Sequence, residues 1–375
     1  MIMAEQPPFA ANIRRFRASK GLTQEQVARQ AGLSRIAFRD IEIGKTRDPR
    51  VGNLQGIAAA LGVGLGELLV EPPRLATARF RSQKLRGRKD QAQREQIVFC
   101  MARWLRDFRE LEGILQDSLP YRLAQVAEEA RALSAKDRPR QVAAMARAAL
   151  GLGEAEPIRD ICGLLESAGV RVLPLESELA GFFGLSVAEG DGGPAIAVNT
   201  AERITVERQI FTATHELGHL LLHPGAFDIN KVAEDPAEEA EADVFAGYFL
   251  MPAKAFEKVW AETSGLRFVE RVLHVKRLLR VSYKTVLHRL VELGLASDQV
   301  WMRFAAEYKR QYRRSLGHKE EPCPLAAVDF IEDRLSRMVR RAVEQQAISL
   351  SRAAEILGVD LQAMRQRVAS WNIAA

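Results

Sequence analysis

The sequence His215-Glu216-x-x-His219 constrains the fold of this chain more than any other feature. Residues four apart share one face of an α-helix, so on a helix the two imidazoles can bind one metal ion. Glu216 directly follows the first histidine, where a carboxylate can accept a proton from water at the metal. The alternative is a buried amphipathic helix with two hydrogen-bonded histidines. The spacing favours a metal-binding helix with Glu216 as the catalytic base.

A catalytic zinc site needs a third protein ligand and one open position. Residues 237–252 are predicted to form a second helix, because small and apolar residues recur at helical spacing and a proline ends the run. Glu239 and Asp243 are four apart, which suits a glutamate ligand with an aspartate that orients a ligating histidine. We predict Glu239 as the third ligand. Glu238 and Glu241 are the alternatives, and both are otherwise expected on a solvated acidic face.

His223 lies one turn beyond His219. Three histidines along one straight helix cannot surround a tetrahedral ion, so His223 is predicted not to be a ligand. We expect it at the C-terminal end of the helix, which Pro224 ends. The longer protease motif that adds a glycine and a third histidine is excluded, because Leu222 and Gly225 stand at those positions.

These residues predict a zinc-dependent endopeptidase, with manganese as the other candidate metal. The ion would be held by His215, His219 and Glu239 and would polarise a peptide carbonyl. Glu216 would take a proton from water and pass it to the leaving nitrogen.

Residues 10–70 carry a second, independent pattern, that of an all-α helix-turn-helix domain. Thr23 begins a helix that ends at Gly32, and Ser34 begins the next helix, which closes at Gly44. Two short helices joined by a glycine-containing turn form a helix-turn-helix, whose second helix faces base edges in the major groove of double-stranded DNA. The predicted base contacts are Arg35 and Arg39, and the predicted phosphate contacts are Gln24, Lys45 and Arg47.

The charge distribution supports a polyanionic partner for this part of the chain. Residues 1–95 contain 18 Lys and Arg against 9 Asp and Glu, a formal charge of +9, whereas the whole chain carries +6. The remaining residues therefore sum to −3. Such uneven placement is typical of nucleic-acid binding by the positive part.

The order of the elements predicts a multidomain, mainly α-helical protein. Short strands are expected at 170–175, 181–187 and 194–199. A small sheet beside the metal helix would offer an edge to an extended peptide. The predicted domains are a helix-turn-helix domain (1–70), a basic linker and helical connector (71–150), an α+β zincin-like metallopeptidase domain (151–260) and a helical C-terminal region (261–375).

Two further segments, 273–295 and 348–360, each have the pattern of a helix, a serine cap and a second helix. Both could bind DNA, but such units are more often packing elements, and we favour packing for both.

The cellular location is predicted from the absence of a membrane-spanning or signal pattern in the sequence. No apolar run approaches the length of about 18 residues that a membrane-spanning helix needs, and the start has no basic region followed by an apolar stretch. The three cysteines, Cys100, Cys162 and Cys323, are far apart and are expected to be free thiols. We therefore expect a cytoplasmic protein with no membrane partner.

Both patterns resemble known families. The N-terminal pattern is similar to the XRE (Cro/repressor-type) helix-turn-helix, on the residues Thr23-Gln24-Glu25-Gln26-Val27-Ala28, Leu33-Ser34 and Ile41-Glu42-x-Gly44-Lys45. The second pattern resembles the ImmA/IrrE metallopeptidase family, on the residues Phe211-Thr212-x-x-His215-Glu216-Leu217-Gly218-His219-Leu220-Leu221-Leu222-His223, Glu239-x-x-x-Asp243-x-Phe245-Ala246 and Leu250-Met251-Pro252.

The resemblance implies a gluzincin-like zinc site in which Glu239 joins the two histidines. It also implies cleavage of a repressor protein under stress, which switches on genes for DNA-damage response or mobile-element transfer. Free-standing members act on a separate repressor, whereas this chain carries its own helix-turn-helix, so the substrate is a repressor or the chain itself. We expect a homodimer. The alternatives are a transcription factor whose metallopeptidase-like domain is a non-proteolytic ligand sensor or assembly module, and an antitoxin-type binding protein.

Overall fold

The computed structural model describes residues 7–70, 75–82, 87–134, 137–231, 235–317 and 319–371. Over these residues the chain is mainly α-helical with one four-stranded sheet, which confirms the predicted fold class. The described residues divide into two compact units. The first contains residues up to 75, 82–106 and 179–181, and the second contains 76–81, 107–178 and the residues from 182 onward.

The first unit is a bundle of short helices around an apolar core. Its helices are α1 (Pro8–Ser19), α2 (Gln24–Gln30), α3 (Arg35–Glu42), α4 (Val51–Leu61) and α5 (Leu65–Leu69), together with the first part of α6 (Gly87–Leu115). Phe38 and Ile57 are fully buried in this core. The side-chain amide of Asn12 donates to the carbonyl oxygens of Leu68 (2.8 Å) and Val70 (2.9 Å), which ties α1 to the end of α5.

The second unit combines the sheet with the remaining helices. The strands are β1 (Ala78–Ser82), β2 (Arg171–Leu175), β3 (Phe182–Val187) and β4 (Ala195–Asn199). The helices are α7 (Ala124–Ala130), α8 (Arg138–Ala149), α9 (Ile161–Ser167), α10 (Val206–Leu222), α11 (Pro236–Leu250), α12 (Ala253–Glu262), α13 (Phe268–Leu279), α14 (Tyr283–Glu292), α15 (Val300–Tyr312), α16 (Arg334–Glu344), α17 (Leu350–Ile356) and α18 (Leu361–Trp371).

The sheet has the order β1-β3-β4-β2. β2 runs parallel to β4, with Arg171 opposite Ala195, and β3 runs antiparallel to β4, with Gly184 opposite Val198. β4 is buried along its whole length because it is a central strand covered by helices. The three strands predicted between 170 and 199 are all present.

β1 is an addition to the predicted sheet. Residues 74–94 contain eight Lys and Arg and were expected to form a charged connector, yet Ala78–Ser82 pairs with β3. Ala188 N–H donates to the carbonyl oxygen of Thr77 at 3.0 Å, which fixes the start of β1 beside the end of β3. Parts of the predicted linker, 71–74 and 83–86, lie outside the described residues.

A buried charge cluster anchors the start of α10 to α13. The Lys276 ammonium lies 2.8 Å from Glu207 Oε1 and 3.0 Å from Glu321 Oε1, and it donates to the carbonyl oxygen of Pro322 at 2.9 Å. Lys276 and Glu207 have no exposed surface. A buried ammonium must be paired and hydrogen-bonded, and this one is.

Among the described residues, no helix combines the length and the apolar character that crossing a bilayer requires.

Candidate metal centre

The helix α10 carries the His-Glu-x-x-His sequence through the interior of the second unit. It begins at Val206 and ends at Leu222, and the hydroxyl oxygen of Thr205 caps its start by accepting from Arg208 N–H. Fifteen of its seventeen residues are buried, because α11, the sheet and α8 cover it on different sides. His215, Glu216 and His219 have no exposed surface.

Close packing of α11 on α10 brings the third candidate ligand into reach. A Cβ added at Gly218 would stand 3.0 Å from the Phe245 ring, so the glycine permits the approach of the two helices. Asp235 caps α11, and Glu239 follows in its first turn. Glu239 therefore faces the histidine pair of α10.

Three nitrogen and oxygen donors meet at one point. Glu239 Oε1 lies 3.1 Å from His219 Nε2, Glu239 Oε2 lies 3.3 Å from His215 Nε2, and the two Nε2 atoms are 2.9 Å apart. The donor atoms of these three residues all lie within 4.8 Å of one another. They form the one such group of three found among the described residues.

Hydrogen bonds behind the histidines fix which ring nitrogens point at this cluster. His215 Nδ1 lies 2.7 Å from Asp243 Oδ1, and a carboxylate only accepts, so Nδ1 carries the hydrogen and Nε2 presents a lone pair. His219 Nδ1 lies 3.0 Å from His223 Nδ1, and His223 Nε2 lies 3.0 Å from Glu241 Oε2. With His223 neutral, its Nε2 donates and its Nδ1 accepts, so His219 donates from Nδ1 and presents a lone pair from Nε2.

The protonation states agree with this arrangement. Burial lowers the pKa of His219 to about 3 and also lowers the pKa of His223. A neutral His219 is in the state that metal binding requires, and the His215 imidazole and the Glu239 carboxylate complete the set of donors. This donor set fits a divalent metal such as zinc.

Glu216, the residue next to His215 on α10, is held in place by the sheet. Ser186 Oγ on β3 donates to Glu216 Oε2 at 2.8 Å. A Cβ at Gly184, on the same strand, would stand 2.6 Å from Thr212 Cγ2 and 3.1 Å from Glu216 Oε1, so only glycine allows β3 to lie this close to α10. The sequence contains no motif that singles out Ser186.

Arg79 on β1 also reaches the cluster, although no sequence pattern points to it. Its guanidinium lies 2.5 Å from Glu238 Oε2 and 3.0 Å from Glu239 Oε1, and the side chain is almost fully buried. β1 also pairs with the strand that holds Ser186, so the outer edge of β3 is taken by the chain itself. In the described sheet the outer strands are β1 and β2, so an extended peptide of the kind predicted would have to pair with one of these and not with β3.

The expected solvated acidic face at Glu238 and Glu241 is wrong. Both side chains are about three-quarters buried, because Glu238 pairs with Arg79 and Glu241 pairs with Arg138 and His223. Neither joins the group of converging donors, which contains Glu239.

The candidate DNA contacts lie on the first unit. Ser34 Oγ accepts from Ala37 N–H at 3.2 Å and starts α3, on which Arg35 and Arg39 are exposed. Arg47 and Lys45 are exposed beyond α3, with Lys45 Nζ 3.3 Å from Asp40 Oδ2. The Gln24 side chain uses one of its two amide hydrogens to donate to Glu42 Oε2, a contact within the domain that the local sequence does not indicate.

Comparison with known proteins places both regions in families. Residues 13–68 match the family model described as helix-turn-helix, and residues 165–291 match the peptidase family described as the IrrE N-terminal-like domain. The chain joins a helix-turn-helix domain to an IrrE N-terminal-like domain. The His-His-Glu cluster and Glu216 lie within this IrrE N-terminal-like domain.

A 64-residue stretch of the chain is also similar to a curated protein described as a hypothetical transcription factor of Neisseria, from Neisseria meningitidis serogroup B. The two are 43% identical over that stretch, which is 17% of this chain and 59% of the relative.

Proposed function

We propose that this protein is a DNA-binding transcriptional regulator whose IrrE N-terminal-like domain is a zinc-dependent endopeptidase. The observation that carries the proposal is the convergence of His215, His219 and Glu239, together with Glu216, the residue next to His215, whose carboxylate is buried and hydrogen-bonded to Ser186. A metal-ligand set with an adjacent carboxylate is the constellation that peptide hydrolysis at neutral pH requires.

The residues that would hold the ion are His215, His219 and Glu239. A bound divalent cation supplies a Lewis acid that lowers the pKa of water and polarises a carbonyl. Asp243 and His223 orient the two imidazoles from behind, and such contacts raise the basicity of the ligands.

Glu216 is the proposed general base and acid. Its carboxylate accepts a proton from the attacking water and returns it to the nitrogen of the leaving peptide. Ser186 Oγ fixes one carboxylate oxygen by its 2.8 Å hydrogen bond, which keeps the side chain in one orientation during both transfers.

The proposed substrate is a repressor protein, either a separate chain or this chain itself. Cleavage of the chain itself is supported by β1, a segment of the same chain that lies against the site. On β1, the Arg79 guanidinium pairs with the Glu239 carboxylate. A non-proteolytic sensor is the second candidate function. The full burial of His215, Glu216 and His219 favours it, because a substrate must reach the metal.

The helix-turn-helix domain is proposed to bind double-stranded DNA through Arg35 and Arg39, with phosphate contacts from Gln24, Lys45 and Arg47. We also propose a homodimer, which would place two recognition helices on successive half-sites, and a cytoplasmic location, where cysteines remain thiols.

The decisive experiment compares the wild-type chain with Glu216→Gln. Both are loaded with zinc and incubated alone and with candidate helix-turn-helix repressor proteins, with and without a chelator. We expect one zinc per chain in both proteins and cleavage only by the wild type, which the chelator stops. General-base removal typically costs about 10²–10⁴-fold in rate.

The same experiment separates the two candidates. Zinc binding without cleavage in any mixture favours the sensor, whereas cleavage by Glu216→Gln at the wild-type rate contradicts the proposed mechanism.

A further inference from the structure

The last two helices of the chain repeat the cap of the N-terminal helix-turn-helix. In α2, the Thr23 hydroxyl oxygen accepts from the Gln26 N–H at 3.2 Å. In α17, the Ser349 hydroxyl oxygen accepts from the Arg352 N–H at 3.1 Å. The two caps stand 326 positions apart, and the same offset relates every feature that follows.

The turn after each first helix is also the same. Gly32 has φ +69° and Gly358 has φ +63°, a left-handed conformation that glycine adopts without strain. The next residue, Leu33 or Val359, donates its N–H to the carbonyl oxygen five positions earlier, at 2.8 Å and 3.0 Å. The chain therefore leaves α2 and α17 along the same path.

The second helices begin and pack alike. Ser34 and Asp360 each accept, through the side chain, from the N–H three residues further on, at 3.2 Å and 2.7 Å. The fourth residue of each helix, Phe38 or Met364, is fully buried against its own unit. Hence α17–α18 reproduces α2–α3 in its caps, turn and anchoring side chain.

The turn alone does not identify a DNA-binding unit, because α13–α14 contains it as well. Arg280 has φ 55°, and the Ser282 hydroxyl oxygen accepts from the Thr285 N–H at 3.1 Å. In the α13–α14 pair, however, other parts of the protein cover the second helix, α14. The buried residues of α14 are Tyr283, Val286, Leu287, Arg289 and Leu290. In α18, Met364 alone of the eleven residues is buried.

The exposed face of α18 carries side chains of the types that bind DNA bases and phosphates. Gln362, Arg365, Gln366 and Arg367 are all exposed. Glutamine amides pair with adenine, and arginine guanidinium groups pair with guanine or phosphate. Arg365 stands where α3 has Arg39.

The charge of the segment complements a polyanion. Residues 334–371 contain seven arginines and three acidic residues, a formal charge of +4. Over the same residues the chain has no lysine, so the positive charge is carried by groups that can bind bases and phosphates through two parallel hydrogen bonds.

α17 is held firmly in the second unit. Arg352 donates to Asp107 Oδ1 at 2.8 Å and to Glu110 Oε2 at 2.6 Å, both in the C-terminal part of α6. α18 packs on α17 and so has a fixed support. A rigid support is what keeps base-reading side chains in register.

We propose that α17 and α18 form a second helix-turn-helix that binds double-stranded DNA, with α18 in the major groove. This proposal departs from the packing role that the sequence favoured at 348–360. The inference does not require peptidase activity. If the proposal is correct, the chain has two helix-turn-helix motifs that contact DNA, one in each of the two compact units.

The test uses the full chain and a fluorescent duplex of random sequence, with binding measured by anisotropy over a series of salt concentrations. Arg35→Ala/Arg39→Ala removes the proposed base contacts of α3, and Arg365→Ala/Arg367→Ala is then added to it. A matched control adds Lys309→Ala/Arg310→Ala, which removes two exposed charges from α15 in the same compact unit.

We expect salt-dependent binding by Arg35→Ala/Arg39→Ala. Addition of the α18 substitutions should weaken that binding roughly tenfold or more and reduce the slope of log K against log salt by about 0.9 for each phosphate that the protein no longer neutralises. The α15 control should change affinity by less than about twofold. Thermal unfolding should be unchanged, because all substituted side chains are exposed.

Two outcomes overturn the inference. One is the absence of DNA binding by Arg35→Ala/Arg39→Ala, which would leave no second binding unit. The other is an equal loss of DNA affinity from the α15 and the α18 substitutions, which would show that only the net charge of the chain matters.

Discussion

The metal centre and the recognition helix α3 place their functional side chains in opposite environments. His215, Glu216 and His219 are completely buried, and each has partners on neighbouring elements that fix its orientation. Arg35 and Arg39 are exposed on α3, whose buried side only holds the helix in place. In the proposed function, the first site would depend on side chains already held in place, whereas the second would depend on exposed side chains that meet the DNA surface.

This difference predicts how each site responds to substitution. In the buried site, a substitution also removes hydrogen bonds to neighbouring side chains. It is therefore expected to change the free energy of unfolding and the affinity for a ligand at the same time. On the exposed helix, affinity for DNA can change while the free energy of unfolding does not.

The largest expected effect on stability is in the buried unit, for Lys276→Met. The substitution leaves the Glu207 carboxylate buried without its ammonium partner, which typically costs about 3–5 kcal/mol. Denaturant unfolding measures this free energy. The matched control, Arg277→Ala, removes an exposed charge from the same helix and should stay within about 0.5 kcal/mol. Equal effects of the two would contradict the burial argument.

The next effect is on metal affinity. Asp243→Ala removes the carboxylate that orients His215, and removal of such a partner typically weakens metal binding by about 10–100-fold. Competition for zinc against a chromophoric chelator measures the change. Glu257→Ala, an exposed acid on α12, is the control and should bind zinc as the wild type does. Unchanged affinity in Asp243→Ala would show that the aspartate does not act on the site.

The residues of the metal centre differ in how far the sequence could predict them. The histidine pair, Glu239 and Asp243 follow from four-residue spacing, because helix geometry fixes which positions share a face. Ser186 and Arg79 do not. Ser186 reaches Glu216 because β3 packs on α10, and Arg79 reaches Glu239 because β1 pairs with β3.

β1 shows the same limit. Ala78–Ser82 is a short segment with two arginines, so its composition resembles that of the flanking connector. Arg79 is buried only because Glu238 and Glu239 compensate its charge, and no local pattern shows that pairing. The helix-turn-helix, by contrast, could be predicted almost entirely, because its caps and glycine turns are local signals.

On the exposed helix, Arg39→Ala is expected to lower DNA affinity by about 1–3 kcal/mol if the guanidinium contacts a base. Its unfolding free energy should remain within about 0.5 kcal/mol of the wild type. An operator duplex is first selected from a random pool with the wild-type chain. A binding titration with that operator measures the DNA affinity, and an unfolding curve on the same sample measures the stability. A large loss of stability with no change in DNA affinity would reverse the proposed contrast.

Arg47→Ala should behave differently from Arg39→Ala. Removal of a phosphate-binding group weakens binding about equally on all sequences and lowers the salt slope by about one. Titrations on operator and random duplexes at several salt concentrations distinguish the two. Loss of sequence preference in Arg47→Ala would identify it as a base contact instead.

Near neutral pH, the free energy of unfolding should depend only weakly on pH. Burial lowers the pKa of His219 to about 3, whereas an unfolded histidine has a pKa of about 6.5. Between these two pH values the unfolded chain binds a proton at this histidine and the folded chain does not. The free energy of unfolding of the metal-free protein should therefore be constant in this respect above about pH 6.5 and fall as pH drops toward 3. Denaturant unfolding at a series of pH values measures it. His219→Gln should show a shallower fall, and an identical pH profile would contradict the assignment.

The function proposed for the second unit depends on His215, His219 and Glu239 binding one divalent cation together. X-ray absorption at the zinc edge of the loaded chain tests this directly, because the spectrum reports the type and distance of the donors. We expect two imidazole nitrogens and additional oxygen donors at about 2.0–2.2 Å, and no sulfur. A spectrum with thiolate donors, or with fewer than two imidazoles, would contradict the assignment of these three ligands.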